Sequence, residues 1–123
     1  MENKDNFSHS ATVFPVKNIQ KSIEFYTKKL EFGMTFSWGD PTSYAVLKKG
    51  GVSIHISEKT DGFVQSNKHC ALYIFVYNVD KIYQRCVNQK VLIVNVLEIR
   101  DYKMRDFDIM DPDGIRITFG KGE

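Results

Sequence analysis

The feature that most constrains this chain is that it repeats itself. Val16-Lys17-Asn18-Ile19-Gln20-Lys21 lies over Val76-Tyr77-Asn78-Val79-Asp80-Lys81, 60 residues further on. Gly51-Val52-Ser53-Ile54-His55-Ile56 lies over Gly114-Ile115-Arg116-Ile117-Thr118-Phe119, 63 residues further on. The first match is a strand end, a helix cap and a first helical turn. The second is a glycine turn followed by an alternating strand. The matches recur in the same order at both ends of a unit, which is the mark of an internal duplication. Each half then reads strand, helix and three strands. One βαβββ unit cannot bury both its helix and its sheet well, whereas two side by side can. The expected class is α+β, with two βαβββ modules forming a curved mixed sheet, helices outside and a cavity inside. The 123 residues make one domain, 1–123. Module one spans 8–57, a polar linker 58–68, and module two 69–120.

Local patterns fill in the units. Thr12, Phe14 and Val16 alternate as a strand, and Asn18 caps a helix whose apolar stripe is Ile19, Ile23, Tyr26 and Leu30. Gly33 is expected to stop that helix. Strands follow at Met34 to Trp38, Tyr44 to Lys48 and Val52 to Ile56, the last showing Ser53 and His55 on its other face. In the second half, Cys70 to Val76 reads as a strand. Asn78 caps a helix with Val79, Ile82, Tyr83 and Cys86 on one stripe. Val91 to Val96 is a strand, and Leu97 to Lys103 a charged connection. Asp111-Pro112-Asp113-Gly114 is turn chemistry between two alternating strands. Phe107, Ile109, Ile115, Ile117 and Phe119 make the buried face of that hairpin. Arg105, Asp106, Asp108, Arg116 and Thr118 are read on the other face.

Composition excludes several classes. Net charge is +2, with no basic stripe, so nucleic acid is not an expected partner. No apolar run approaches a membrane span, and no secretory h-region is visible, so a cytoplasmic protein is expected. The two cysteines, Cys70 and Cys86, have no close metal-type spacing and read as thiols. No Ser/His/Asp order, phosphate-cradling glycine loop or zinc spacing appears.

The pattern resembles the vicinal oxygen chelate superfamily: glyoxalase I, extradiol dioxygenases, fosfomycin-modifying enzymes and bleomycin resistance proteins. The likeness is carried by Val16 to Tyr26 (with Ser22-Ile23-Glu24-Phe25-Tyr26), by Val76 to Asp80 and by Asp111-Pro112-Asp113-Gly114. Enzymes of that superfamily hold a divalent metal with one His or Glu from each of four equivalent strands. Carried over by these anchors, the positions are Ala11, His55, Ala71 and Thr118. Two alanines coordinate nothing, Thr is a poor ligand, and a lone His is too few for a first-row metal. The resemblance therefore implies no metal and no cofactor at the family's positions. A shifted set of His9, His55 and His69 is the one alternative ligand set.

Without the metal, the resemblance is strongest to bleomycin resistance proteins, which sequester a drug in grooves of a strand-exchanged dimer and confer antibiotic resistance. Met104-Arg105-Asp106-Phe107 resembles their "GMREF" stretch, and Gly51 to Ser57 their "GDVELHLS" strand. Two departures stand out: Lys103 replaces the usual Gly before Met, and +2 is an unexpected charge for capturing a cationic drug. The implied ligand-binding residues are Phe36, Trp38, His55, Phe63, Tyr102, Met104, Arg105 and Thr118. Trp38 could stack on a planar ligand or pack in the core. His55 could donate a hydrogen bond, act as a base or be satisfied internally. Arg105 and Arg116 could grip an anion or pair with Asp106, Asp108 or Asp113. The expected function is a metal-independent binding protein for a bleomycin-like or planar small molecule, working as a homodimer, with binding favoured over catalysis. A divalent-metal enzyme of the glyoxalase or dioxygenase type is the alternative.

Overall fold

A computed structural model describes residues 6–59, 61 and 69–123. Both expected units are present. Module one contains β1 (Thr12–Val16), a helix, β2 (Gly33–Trp38), β3 (Tyr44–Lys49) and β4 (Val52–Glu58). Module two contains β5 (Leu72–Phe75), a helix α2 (Val79–Asn88), β6 (Leu92–Ile99), β7 (Met104–Met110) and β8 (Arg116–Gly122). The sheets run β1-β4-β3-β2 and β5-β8-β7-β6. In each, the first strand lies parallel to the last, and the other neighbours are antiparallel. The orders are the same, as a duplication requires. The β1 and β5 edges are not paired with each other, so the curved sheet is in two four-stranded halves.

The helix starts follow from the repeat. Asn18 Oδ1 accepts from the Lys21 N–H at 3.1 Å, and Asn78 Oδ1 from the Lys81 N–H at 3.1 Å. Such a cap contributes about 1 kcal/mol. The first helix, α1 (Ile19–Glu24), widens into a π-helical turn at Phe25–Lys29. That turn lets Phe25 and Tyr26 both point into the core. The expected stop at Gly33 is corrected: the chain reverses at Glu31, with φ +64, and Lys90 does the same after α2 with φ +59. β6 also runs through Leu97 to Ile99, where a charged connection is expected from the residues. Alternation fails there because β6 is irregular between Ile93 and Asn95 and between Asn95 and Glu98. β4 likewise takes Glu58 from the linker. The rest of the expected linker lies outside the described residues, apart from Lys59 and Asp61.

One core serves both modules. Phe14, Val16, Ala45, Leu47, Ile54 and Ile56 from sheet one meet Ile74, Phe107, Ile109, Ile117 and Phe119 from sheet two, with Tyr26, Val79 and Cys86 from the helices. The Asp-Pro-Asp-Gly turn clasps the two units together. Its Gly114 takes φ +81, and Asp111 Oδ1 accepts the Asp113 and Ile115 amides at 2.8 Å each. Asp111 Oδ2 accepts the Tyr26 hydroxyl at 2.7 Å, while Asp113 accepts the Lys17 amide at 2.9 Å and the Ser22 hydroxyl at 3.2 Å. Among the described residues, no helix is long and apolar enough to cross a membrane.

Candidate functional site

Each sheet has one face on the core and one face open. Strand pairing fixes which residues share the open faces, because side chains alternate. In module one the register brings Val13, His55, Val46 and Phe36 into one row, and Tyr44, Ser57 and Trp38 into the next. Phe36 and Trp38 stand on the outer strand, 53% and 66% exposed, so neither is core packing. With Ser43, Tyr44, Ser57 and Glu58 they line an open cleft of about 390 Å³. His55 is half-buried, and its Nδ1 lies 2.7 Å from the Tyr44 hydroxyl, edge-on to that ring. The result is an aromatic wall with one imidazole fixed by a phenol. No residue of module two lines this cleft.

The open face of module two is polar and closely bonded. Asp106 accepts hydrogen bonds from Tyr73 Oη at 2.8 Å, Tyr102 Oη at 2.7 Å and Arg100 Nε at 2.8 Å. Asp108 accepts from Thr118 Oγ1 at 2.6 Å, Asn95 Nδ2 at 2.6 Å and Arg116 Nη2 at 2.5 Å. Arg100 also pairs with Glu98. Burial pushes the Asp108 carboxyl up, but its donors Thr118, Asn95 and Arg116 more than offset that and hold it below the usual carboxylate range. Desolvation and the bond to Asp106 push the Tyr102 phenol up to about 12. Gly120 is required beneath Tyr73: a Cβ there would lie 2.1 Å from the Tyr73 oxygen. The absent side chain is what lets Tyr73 reach across β8 to Asp106. The Phe75 ring lies tilted against Tyr73, centroids 4.8 Å apart, so this face also carries exposed rings at Phe75 and Tyr102.

The residues expected from sequence are distributed as follows. Phe36, Trp38 and His55 share the open face of module one. Tyr102 and Thr118 belong to the polar face of module two, and Met104 has the same parity on β7 as Asp106 and Asp108. Thr118 is buried, its hydroxyl donated to Asp108. The placement of Arg105 corrects the hairpin reading. It has the parity of Phe107, faces α2 and bonds Asp80 at 2.6 Å, away from the open face. Arg116 makes the expected pairing with Asp108. Phe63 lies outside the described residues. Tyr44, Tyr73, Asn95 and Arg100 were missed. The repeat held a signal for Tyr73, since it pairs with Thr118 as Val13 pairs with His55.

Among the family positions only His55 is a strong metal donor. Ala11 and Ala71 offer no donor, and the Thr118 hydroxyl is engaged. His9 sits exposed with Nδ1 2.6 Å from Ser8 Oγ, apart from His55 and its Tyr44 partner. His69 is exposed at the start of module two. Among the described residues, no three His, Cys, Asp or Glu side chains converge as a metal site needs. The residues at the family positions do not fit a metal.

Comparison with known proteins agrees with this architecture. Bleomycin resistance proteins of Geobacillus stearothermophilus and Staphylococcus aureus are 30% identical to the chain, covering 89% of it and 93% of their own length. The crystal structure of TioX from Micromonospora sp. ML1 superposes with a TM-score of 0.80 at 16% identity, over 95% of this chain and 100% of that one. A bleomycin-binding protein complexed with bleomycin superposes with a TM-score of 0.78 at 14% identity, over 95% and 100%. At such identities the structures establish the fold alone. The sequence profile of the Glyoxalase/Bleomycin resistance protein/Dioxygenase superfamily matches residues 8–119, and with it the chain belongs to that superfamily.

Proposed function

We propose that this chain is a metal-independent binding protein of the bleomycin-resistance type, holding a planar or drug-like molecule in a groove shared by two copies in the cytoplasm. The observation that carries the reading is the open aromatic wall, where Phe36 and Trp38 stand exposed beside the His55–Tyr44 pair. An exposed ring pair on an outer strand costs solubility and contributes no core, so a ligand or a partner is the reason to keep it. Flat heteroaromatic groups stack on such rings, and His55 and Tyr44 supply polar contacts at the floor.

Dimerisation follows from what the single chain leaves uncovered. Besides β2, the outer strand β6 exposes Leu92, Val96 and Ile99, at 61%, 59% and 56%. A twofold partner placing its β6 against β2 covers both strips and sets the polar face of one copy opposite the aromatic wall of the other. The polar face suits such a wall. Asp106 and Asp108 are each matched by an arginine, so it presents oriented hydroxyls and a near-neutral surface. That pairing fits a ligand selected by shape and hydrogen bonding more than by charge.

Isothermal titration with metal-free and copper-loaded bleomycin tests the ligand, and sedimentation velocity tests the dimer. The expected result is a saturable site on a dimer, weakened about tenfold by Trp38→Ala, as loss of ~1.4 kcal/mol of stacking gives. Metal analysis of protein made without chelator tests the remainder. A stoichiometric nickel, zinc, iron or manganese ion would sink the metal-independent reading and favour the enzyme.

A further inference from the structure

We propose that the cleft between the two modules on the helix side is a second ligand site, taking a small amphipathic anion: an apolar body with one acidic head. The cleft has a volume of about 370 Å³, within the range of small-molecule sites. It shares no lining residue with the aromatic cleft of module one. Its floor is Leu30, Phe32, Ile74 and Phe119, core residues that show an edge here, with Val52 and Ile82 along the sides. Ile82 belongs to the apolar stripe of α2, yet it is only half-buried and lines this cleft.

The charges around this floor are mostly of one sign. Lys29, Lys49, Lys81 and Arg85 line the cleft against a single carboxylate, Glu31. Glu31 is already engaged, 3.3 Å from Arg85 Nε, and Arg85 also donates to the Lys28 and Lys29 carbonyls at 2.9 and 3.0 Å. Lys49 reaches a backbone carbonyl, that of Glu31, at 3.5 Å. Among the described residues, the ammonium groups of Lys29 and Lys81 have no ion-pair partner. An apolar floor with two uncommitted cations is matched by an alkyl or aryl body bearing a carboxylate or sulfonate. A second copy of the chain fits less well. A twofold contact centred here would bring the same cations face to face.

The test is isothermal titration of the full chain with decanoate and with its uncharged counterpart decanol. Decanoate is expected to saturate one site per chain and to bind at least tenfold more tightly than decanol. Lys29→Glu with Lys81→Glu, both on the rim, should weaken decanoate at least tenfold while leaving bleomycin binding and sedimentation unchanged. Ile82→Glu puts a carboxylate against the floor and should abolish decanoate binding. Trp38→Ala should leave it intact, which separates this site from the aromatic groove. The proposal is overturned by unsaturable binding, by equal affinity for decanol, or by loss of decanoate in Trp38→Ala. It is also overturned if the rim double variant changes the oligomeric state, which would make the cleft an interface between copies.

Discussion

Asp108 offers the sharpest energetic test of the polar wall. The residue is 8% exposed, and its carboxylate receives Thr118, Asn95 and Arg116 at once. Asp108→Ala strips all three donors of this acceptor, among them the Arg116 guanidinium, whose side chain is 25% exposed. Breaking a fully buried ion pair costs about 3–5 kcal/mol. Water reaches this arginine, so about 2–3 kcal/mol is expected here. With a urea slope of about 1.5 kcal/mol per molar, the midpoint should fall by about 1.5–2 M at unchanged slope. Asp108→Asn keeps one acceptor oxygen and should cost about 1 kcal/mol. The double variant Asp108→Ala with Arg116→Ala loses their shared contact only once, and it should cost less than the two single changes added together. The pH profile has a definite sign. The folded carboxyl is held below its unfolded value, so its contribution is complete above the unfolded pKa of about 3.9 and is lost as pH falls through the lower folded value. The gap between wild type and Asp108→Asn should therefore narrow as pH drops below about 4. A cost for Asp108→Ala under 0.5 kcal/mol (roughly the scale of an ordinary surface change), or additive costs in the cycle, would refute the reasoning.

Other outcomes follow from single contacts. Gly120→Ala must displace the Tyr73 ring and break its bond to Asp106, so a loss of about 1–3 kcal/mol is expected by thermal or urea unfolding. Tyr26→Phe removes the hydroxyl that joins α1 to Asp111 and should cost about 1–2 kcal/mol in the same assay. Cys70 is exposed, whereas Cys86 is buried with its thiol pushed up to about 11 by desolvation. Ellman's reagent should thus titrate one thiol rapidly in the native chain and both after denaturation. Trp38→Ala, at a residue 66% exposed, should leave unfolding within about 0.5 kcal/mol of wild type while weakening the ligand.

What the sequence made legible was local or periodic. The asparagine caps, the helix stripes, the Asp-Pro-Asp-Gly turn and the duplicated unit rest on spacing, and spacing is written in the chain. Arg105 shows where that ends. Set beside Asp106 and Asp108 it looks like one of a polar set, yet strict alternation puts it with Phe107, where Asp80 of α2 awaits it. The Asp106 cluster was hidden for another reason. Its members Tyr73 and Asp106 are 33 residues apart, and Tyr73 reaches across only because Gly120 has no side chain. The irregular pairing of β6 moved Asn95 onto the Asp108 row, which no period-two reading finds. The open aromatic wall was half legible. Alternation says that Phe36 and Trp38 share a face, but whether the other half of the chain covers that face is a matter of how the modules pack.

The shared groove is tested most directly by complementation between two defective chains. Trp38→Ala spoils the aromatic wall and Tyr102→Ala the polar wall, and both residues are exposed, so both variants should fold. The two are unfolded together, refolded as a mixture and titrated with bleomycin. If each groove joins one copy's aromatic wall to the other's polar wall, half of the dimers are mixed. Each mixed dimer then carries one intact groove, or about one native-affinity site per four chains. If each groove lies within a single chain, every groove in the mixture keeps a defect. Finding no native-affinity sites in the mixture, while wild type binds, would contradict the account.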